Sequence, residues 1–199
     1  LKPNIGIITN IGEAHLGNLG SVNNIVKAKS EIIKNITKNG AIILNRDCRF
    51  YEKLKKISKY NKLKILSFGS NVRSTISYKI LSLNIVQIKL RNIIFKLKVI
   101  NNNSNNIKNI LVCFLVLNYL NLNINLAKTI LKNIRSIRGR GNIIKIDKNI
   151  SIIDDSYNSN PVSLKKSISE FHGFKTKQRK ILVLGDMLEL GKFSKSKHL

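Results

Sequence analysis

The sequence contains few cysteines, prolines and acidic residues, and it has no tryptophan. Its two cysteines, Cys48 and Cys113, show neither the close spacing of a zinc site nor the framework of a disulfide-rich secreted domain. No apolar run approaches the roughly 18 residues that a membrane-spanning helix needs, and the first residues do not resemble a signal peptide. We therefore expect a cytoplasmic chain without a membrane span.

Positive charge, in contrast, is abundant, since 36 lysines and arginines against 10 acidic residues give a net charge of +26. Such an excess is typical of proteins that bind nucleic acids. Here, however, the lysines are spread along the whole chain, and isoleucine and asparagine are in excess with them, as A+T-rich coding produces. Aromatic residues, at 6%, leave few rings for stacking on single strands. We expect weak, salt-sensitive binding, and a basic nucleic-acid-binding protein remains an alternative.

Apolar runs and helical patterns alternate over the first part of the chain. Three short runs predict strands: residues 4–9, 41–44 and 64–68. This alternation with short connections is typical of α/β proteins with a mostly parallel sheet, in which polar residues such as Asn45 and Asp47 would lie at the ligand-binding edge. Two alternating runs, 85–90 and 93–99, then predict a hairpin, and residues 107–120 predict an apolar helix.

A glycine-punctuated basic turn, IRGRG at residues 137–141, predicts a domain boundary. We expect one domain over residues 1–139 and a second over residues 140–199. In the second domain, residues 150–153 predict a strand and Pro161 predicts the first position of a helix capped by Asn160. Residues 181–185 predict a further buried strand, so the second domain is also expected to be α/β.

Lys29 occupies an unusual position on the helix predicted to begin after Ser21. Apolar residues form a stripe along this helix: Val22, Val26, Ile33 and Ile36. Lys29 falls within the stripe, whereas Lys27 points elsewhere, and burying an ammonium is costly. The Lys29 side chain either extends its amine to water, holds a neutral reactive amine, or is converted to a cation ligand beside His15. Periodicity does not decide between these three.

Several strings, taken together, resemble the Mur ligases, the ATP-dependent amide-bond-forming enzymes of peptidoglycan synthesis. They are TNIGEAH at residues 9–15, AKSEI at 28–32, DDSYNSNP at 154–161 and LGDMLELG at 184–191. The resemblance is strongest to the branch that adds D-alanyl-D-alanine to UDP-N-acetylmuramoyl-tripeptide through an acyl phosphate. It implies part of a P-loop-type, mostly parallel central domain, followed by the start of a Rossmann-like α/β C-terminal domain, in a monomer.

The resemblance assigns a metal site to His15 and Lys29. In the family a histidine binds Mg²⁺ and a lysine fourteen residues later is carbamylated, and His15 and Lys29 have this spacing. A carbamate supplies the anionic oxygen that Mg²⁺ prefers. The resemblance therefore implies that His15 and Lys29 are catalytic metal ligands, and that Lys29 carries a modification.

The resemblance also implies which residues contact the nucleotide and which contact the dipeptide. Arg140 matches a catalytic arginine that contacts the nucleotide phosphates, a role suited to its planar donor fork. Asp155 would contact the ribose of ATP and Tyr157 would line the nucleotide, while Asn158 and Asn160 would face the incoming D-alanyl-D-alanine.

Adenine recognition is assigned to a pair of asparagines. Asn106 and Asn109 keep the Asn-x-x-Asn spacing of the family's ATP-binding helix. Asn105 and Asn103, however, replace the histidine and glycine that precede it in the family.

No phosphate-binding P-loop occurs in the sequence. Gly185 and Gly191-Lys192 resemble one, but the glycine spacing is wrong and Phe193 separates the lysine from Ser194. In the family the P-loop lies upstream of the part matched here, so we expect a fragment that alone shows no ATP-dependent amide synthesis. The alternatives within the superfamily are another Mur-type ligase and folylpolyglutamate synthase, and a decayed product without activity is a further alternative.

Overall fold

The computed structural model describes residues 2–13, 16–82, 84–99, 104–131 and 138–199. The chain divides into two compact units. The first comprises Leu1–Ile11 and Val26–Ile134, and the second comprises Gly12–Ile25 and Arg135–Leu199.

The first unit contains a six-stranded mixed sheet whose strands follow one another in chain order. The strands are β1 (Ile5–Ile8), β2 (Ala41–Asn45), β3 (Lys64–Gly69), β4 (Ile76–Ser82), β5 (Ile85–Leu90) and β6 (Ile93–Lys98). The pairs from β1 to β4 are parallel, and β5 pairs antiparallel with both β4 and β6. The mostly parallel first part and the predicted hairpin are therefore confirmed.

Four helices accompany this sheet: α2 (Val22–Asn35), α3 (Tyr51–Tyr60), α4 (Ser104–Tyr119) and α5 (Ile124–Leu131). The first four residues of α2 belong to the second unit. Helix α4 begins three residues before the predicted start, so it includes part of the asparagine-rich segment. Within the described ranges, none of the helices combines the length and apolar character required to span a membrane.

The core of the first unit lies between the sheet and α4. Every residue of β2 is buried, which explains its uninterrupted apolar sequence. From α4, Ile107, Leu111, Phe114 and Leu115 are all fully buried against this sheet. The ring of Phe114 meets that of Phe95 edge-on at 5.5 Å.

The second unit contains shorter elements. They are α1 (Leu16–Leu19), β7 (Asn142–Lys145), β8 (Ser151–Asp154), α6 (Pro161–Gly173), a 3-10 turn (Gly191–Phe193) and α7 (Ser194–His198). Strands β7 and β8 form an antiparallel hairpin. Helix α6 begins as predicted, because Asn160 accepts a hydrogen bond from the Ser163 backbone N–H at 3.0 Å in a capping box.

The prediction of a buried strand at residues 181–185 is wrong. These residues form neither helix nor strand, and Val183 is 92% exposed. A strand requires a neighbouring backbone to pair with, and in the described part of the second unit the one sheet is the β7–β8 hairpin. The apolar run alone therefore did not determine a strand.

We expect Phe114→Ala to lower the free energy of unfolding by about 3–5 kcal/mol, because it removes a fully buried ring and leaves a cavity. Tyr60→Ala is the matched control, since its ring is 88% exposed and exposed sites usually change stability by less than about 0.5 kcal/mol. Urea unfolding followed by circular dichroism measures both. Equal losses in the two variants would contradict this assignment of the core.

Candidate functional site

The carboxyl ends of parallel strands β1, β2 and β3 lie at one edge of the sheet, where ligands bind in open α/β folds. Asn45, at the end of β2, is 5% exposed. Its amide nitrogen donates to the Thr9 carbonyl at 2.9 Å, and its amide oxygen accepts from the Asp47 backbone N–H at 3.0 Å. One side chain thus joins the residue after β1 to the turn after β2.

Asp47 organises the same edge. Its carboxylate accepts hydrogen bonds from the Ser70 backbone N–H at 2.9 and 3.0 Å and from the Ser70 hydroxyl at 3.1 Å, and it pairs with Lys108 Nζ at 2.9 Å. Burial alone would raise the pKa of this carboxyl, but the bonds from Lys108 and Ser70 outweigh it and lower the pKa below its ordinary value of 3.8. The carboxylate is therefore held in its ionised form.

Lys29 lies at this edge too, but it is exposed rather than buried. Its Nζ donates to the Asn10 carbonyl at 3.0 Å. Helix α2 packs closely on β1 near Gly6, where an added Cβ would lie 2.6 Å from the Ile36 side chain. Lys29 lies two turns before Ile36 in sequence, and its amine reaches the Asn10 carbonyl, two residues beyond the end of β1 at Ile8.

Of the three interpretations of Lys29, the desolvated neutral amine is therefore wrong, whereas an amine extended to water and a cation ligand both agree with the exposed position; the helical stripe itself is confirmed. Val26 and Ile33 are buried as expected. Helical periodicity identifies the inward-facing side of the helix, but it does not show whether a long side chain on that side extends to solvent. His15, the other predicted metal ligand, lies outside the described residues.

The predicted adenine residues lie on α4. Asn106 and Asn109 are both exposed, one turn apart on the same side of the helix, while Ile107 between them is fully buried. Asn103 falls outside the described residues. The two asparagines therefore share an accessible helix edge whose opposite side is fixed in the core.

In the second unit, Arg140 and Tyr157 lie together. The Arg140 guanidinium carbon is 4.0 Å from the centre of the Tyr157 ring. Gly139 makes this possible, because its φ of +75° is one that side chains disfavour and an added Cβ would lie 3.1 Å from the Tyr157 backbone. The Tyr157 backbone N–H also donates to the Gly139 carbonyl at 3.1 Å.

Asp154 holds this turn, a role that the sequence did not reveal. Its carboxylate accepts from the Gly139 backbone N–H at 3.2 Å and from the Ser156 hydroxyl at 2.6 Å. The hydroxyl and backbone N–H of Ser156 hold the pKa of the Asp154 carboxyl below its ordinary value of 3.8. A glycine turn and an acidic residue at the end of a strand could have indicated this contact. Gly139 and Asp154 are 15 residues apart, however, so the sequence did not connect them.

The remaining predicted residues follow in the loop before α6. Asp155 accepts a hydrogen bond from the Ser167 hydroxyl at 2.6 Å, and Asn158 is exposed. Asn160 uses its amide oxygen as the cap of α6. An open cavity of about 730 Å³ lies beside the first turn of this helix, and Val162 and Lys165 are among its lining residues.

Charged residues dominate the wall of this cavity. Lys197 pairs with Glu13 at 2.9 Å, and both line it. Lysines 165, 166 and 197 against Glu13 and Glu170 leave a single excess positive charge.

No group of three or more histidine, cysteine or acidic side chains that could hold a metal ion occurs among the described residues. An unmodified ammonium at Lys29 repels a cation. Carbamylation would reverse this, since it replaces the ammonium with an anionic oxygen at an exposed position beside the Asn10 carbonyl. The donor chemistry thus fits Mg²⁺ only with a modified Lys29.

Asp47 should make the stability of the chain depend on pH. Because its folded-state pKa is lowered, its contribution is present above about pH 4 and is lost as the pH falls through the folded-state value. In urea unfolding, the stability difference between Asp47→Asn and the unmutated chain should be constant from pH 7 to 5 and shrink below about pH 4. Glu52→Gln, at a carboxylate that is 74% exposed, is the control and should show no such trend. A difference that stays constant down to pH 2 would contradict a stabilising role for the ionised Asp47 carboxylate.

Comparison with known proteins finds two family models that match successive parts of the chain. The family model of the Mur ligase middle domain matches residues 1–117, and that of the Mur ligase glutamate ligase domain matches residues 139–199. The first match alone covers more than half of the chain.

The UDP-N-acetylmuramoyl-tripeptide--D-alanyl-D-alanine ligase of Rickettsia prowazekii is 34% identical over 100% of this chain and 45% of its own length. A crystal structure of MurF from Acinetobacter baumannii has a TM-score of 0.88 and 25% identity, over 99% of this chain and 43% of that one. MurF from Thermotoga maritima, solved in complex with ADP, has a TM-score of 0.82 and 27% identity, over 99% and 45%. The chain thus spans less than half the length of these relatives. It belongs to the Mur ligase family.

Proposed function

We propose that this chain is the nucleotide-binding part of an ATP-dependent ligase that adds D-alanyl-D-alanine to UDP-N-acetylmuramoyl-tripeptide in cell-wall synthesis. The support is the match to ligases of that name along its whole length. Another Mur-type ligase and folylpolyglutamate synthase are not favoured by these relatives. A main function in nucleic-acid binding has no support from the fold.

The observation that carries the proposal is the pairing of Arg140 with Tyr157. Arg140 is exposed and has no salt-bridge partner in the part of the chain that the structure describes. The Tyr157 ring and the Gly139 turn orient the Arg140 guanidinium, and no carboxylate takes up its N–H donors among the described residues. A pre-oriented cationic fork of this kind suits the phosphate oxygens of ATP.

The other residues take complementary roles in this proposal. Asn106 and Asn109 offer amides to adenine, and Asp155 exchanges the Ser167 hydroxyl for a ribose hydroxyl. His15 and carbamylated Lys29 would hold Mg²⁺, which when bound offsets the negative charge of the phosphates.

The dipeptide is assigned to the loop before α6. Asn158 is exposed, and Asn160 keeps its amide nitrogen for a substrate while its oxygen caps the helix. In the reaction, the tripeptide carboxylate takes the γ-phosphoryl group of ATP and releases ADP. The dipeptide amine then attacks the acyl carbon, so that an amide forms and phosphate leaves.

A chimera tests the activity. Residues 1–199 replace the matching segment of the Thermotoga maritima ligase, and phosphate release is measured with ATP, Mg²⁺, bicarbonate and the UDP-linked tripeptide. We expect release that depends on D-alanyl-D-alanine and none with glutamate or a diamino acid alone, while the 199-residue chain by itself should be inactive. A chimera that folds but responds to glutamate would favour folylpolyglutamate synthase and overturn the proposal.

Lys29 variants in the same chimera test the carbamate. Lys29→Ala should lower kcat by about 10²-fold or more, and Lys29→Arg should fail as badly, because a guanidinium keeps a positive charge where a metal needs an anionic oxygen. Lys27→Ala, at an exposed position two residues earlier, should cost little.

Activity of the unmutated chimera should fall when dissolved CO₂ is removed, and a short carboxylate should partly restore Lys29→Ala. Near-full activity of Lys29→Arg would show that Lys29 only extends into solvent.

A further inference from the structure

Lys108, in the first turns of α4, forms an ion pair with Asp47 at the strand ends. It lies between Asn106 and Asn109 in sequence, and its Nζ is 2.9 Å from Asp47 Oδ2. The two side chains are only 21% and 18% exposed, so water screens this pair less than it screens pairs on the surface.

Asp47 is itself fixed independently of Lys108. The backbone N–H groups of Ser70 and Asn71 donate to its carboxylate, the latter at 3.3 Å, and an added Cβ at Gly69 would lie 2.5 Å from Asp47 Oδ1. Asn45 holds the Asp47 backbone in turn. The carboxylate is therefore rigidly placed relative to the ends of β1, β2 and β3.

The remaining contacts of α4 with the sheet are different in kind. Ile107, Leu111 and Phe114 are fully buried against the sheet, and the hydrophobic effect that holds them there is non-directional. The ion pair, in contrast, joins one residue in the first turns of α4 to a carboxylate that is fixed at the strand ends. It therefore adds a polar constraint at the start of the helix.

We propose that Asp47 and Lys108 are positioning residues that hold the start of α4, and with it the exposed Asn106–Asn109 edge, in the orientation that binds adenine. The pair does not contact the nucleotide. The adenine part of this proposal rests on the proposed function, whereas the orientation of α4 does not.

Lys108→Met in the 199-residue chain tests the positioning, because it removes the charge and keeps most of the length. Amide hydrogen exchange at residues 109–111 should accelerate by about tenfold, as expected from the loss of about 1.4 kcal/mol, while residues 113–119 of the same helix and α3 stay unchanged. Lys108→Arg should keep exchange within about twofold of the unmutated chain, since a guanidinium also pairs with a carboxylate.

Lys53→Met, at an exposed position on α3, is the matched charge-removing control and should leave α4 unchanged. Unchanged exchange at residues 109–111 in Lys108→Met would overturn the positioning role. Acceleration over the whole chain would overturn it as well, because it would show a general loss of stability.

ADP titration of the same chain, followed by NMR at the Asn106 and Asn109 side-chain amides, tests the link to adenine. Lys108→Met should weaken ADP binding by about tenfold, and Lys53→Met should not. Equal ADP affinity in Lys108→Met and the unmutated chain would overturn this link. Because the chain lacks a P-loop, the same titration is repeated in the chimera; failure of the unmutated chimera to bind ADP through these amides would overturn the adenine contact in the proposed function, and with it this link, while hydrogen exchange still decides the positioning.

Discussion

The burial of β2 on both faces is the constraint on which the first unit depends. All five of its residues are buried, so the strand pairs with a parallel neighbour on each side and is covered above and below. A strand in this position determines where the chain leaves the core. The carboxyl ends of β1, β2 and β3 therefore come to one edge, and the polar residues that follow them meet there.

Backbone N–H and carbonyl groups just beyond the strand ends need hydrogen-bond partners at this edge. Asn45 and Asp47 do this with side chains that bond to the backbone after neighbouring strands rather than to each other's side chains. Because backbone groups move little, these bonds create fixed anchor points. The Lys108 amine pairs with the Asp47 carboxylate, which these bonds already hold in place. In our proposal the strand ends thereby position α4, although Lys108 follows Asp47 by about 60 residues.

The sequence predicted the elements better than the contacts between them. Strands β1, β2 and β3 were found because each is a short apolar run, and α6 was found because Asn160 and Pro161 carry the local chemistry of a helix start. The Arg140–Tyr157 pair was not foreseen, although both residues were singled out, because stacking depends on a turn at Gly139 that is held by Asp154.

The two wrong expectations have a common cause, since both concern what lies next to a segment. Lys29 has the helical phase of a buried residue, but its long side chain carries the amine to the Asn10 carbonyl, beyond the end of β1. Residues 181–185 have the right composition for a strand, but no described strand pairs with them. Local pattern identifies the apolar face or run, and only the tertiary structure shows whether another backbone covers it.

Several of the few acidic residues have a structural role. The chain has 10 acidic residues against 36 basic ones, and several of the carboxylates hold turns. Asp47 joins two strand ends, Asp154 holds the Gly139 turn, and Asp147 accepts from the backbone N–H groups of Asn149 and Ile150 at 2.6 and 2.8 Å. A lysine side chain has no acceptor, so it cannot take the place of a carboxylate that accepts from a backbone N–H. Each of these three turns therefore depends on a carboxylate that none of the abundant lysines could replace.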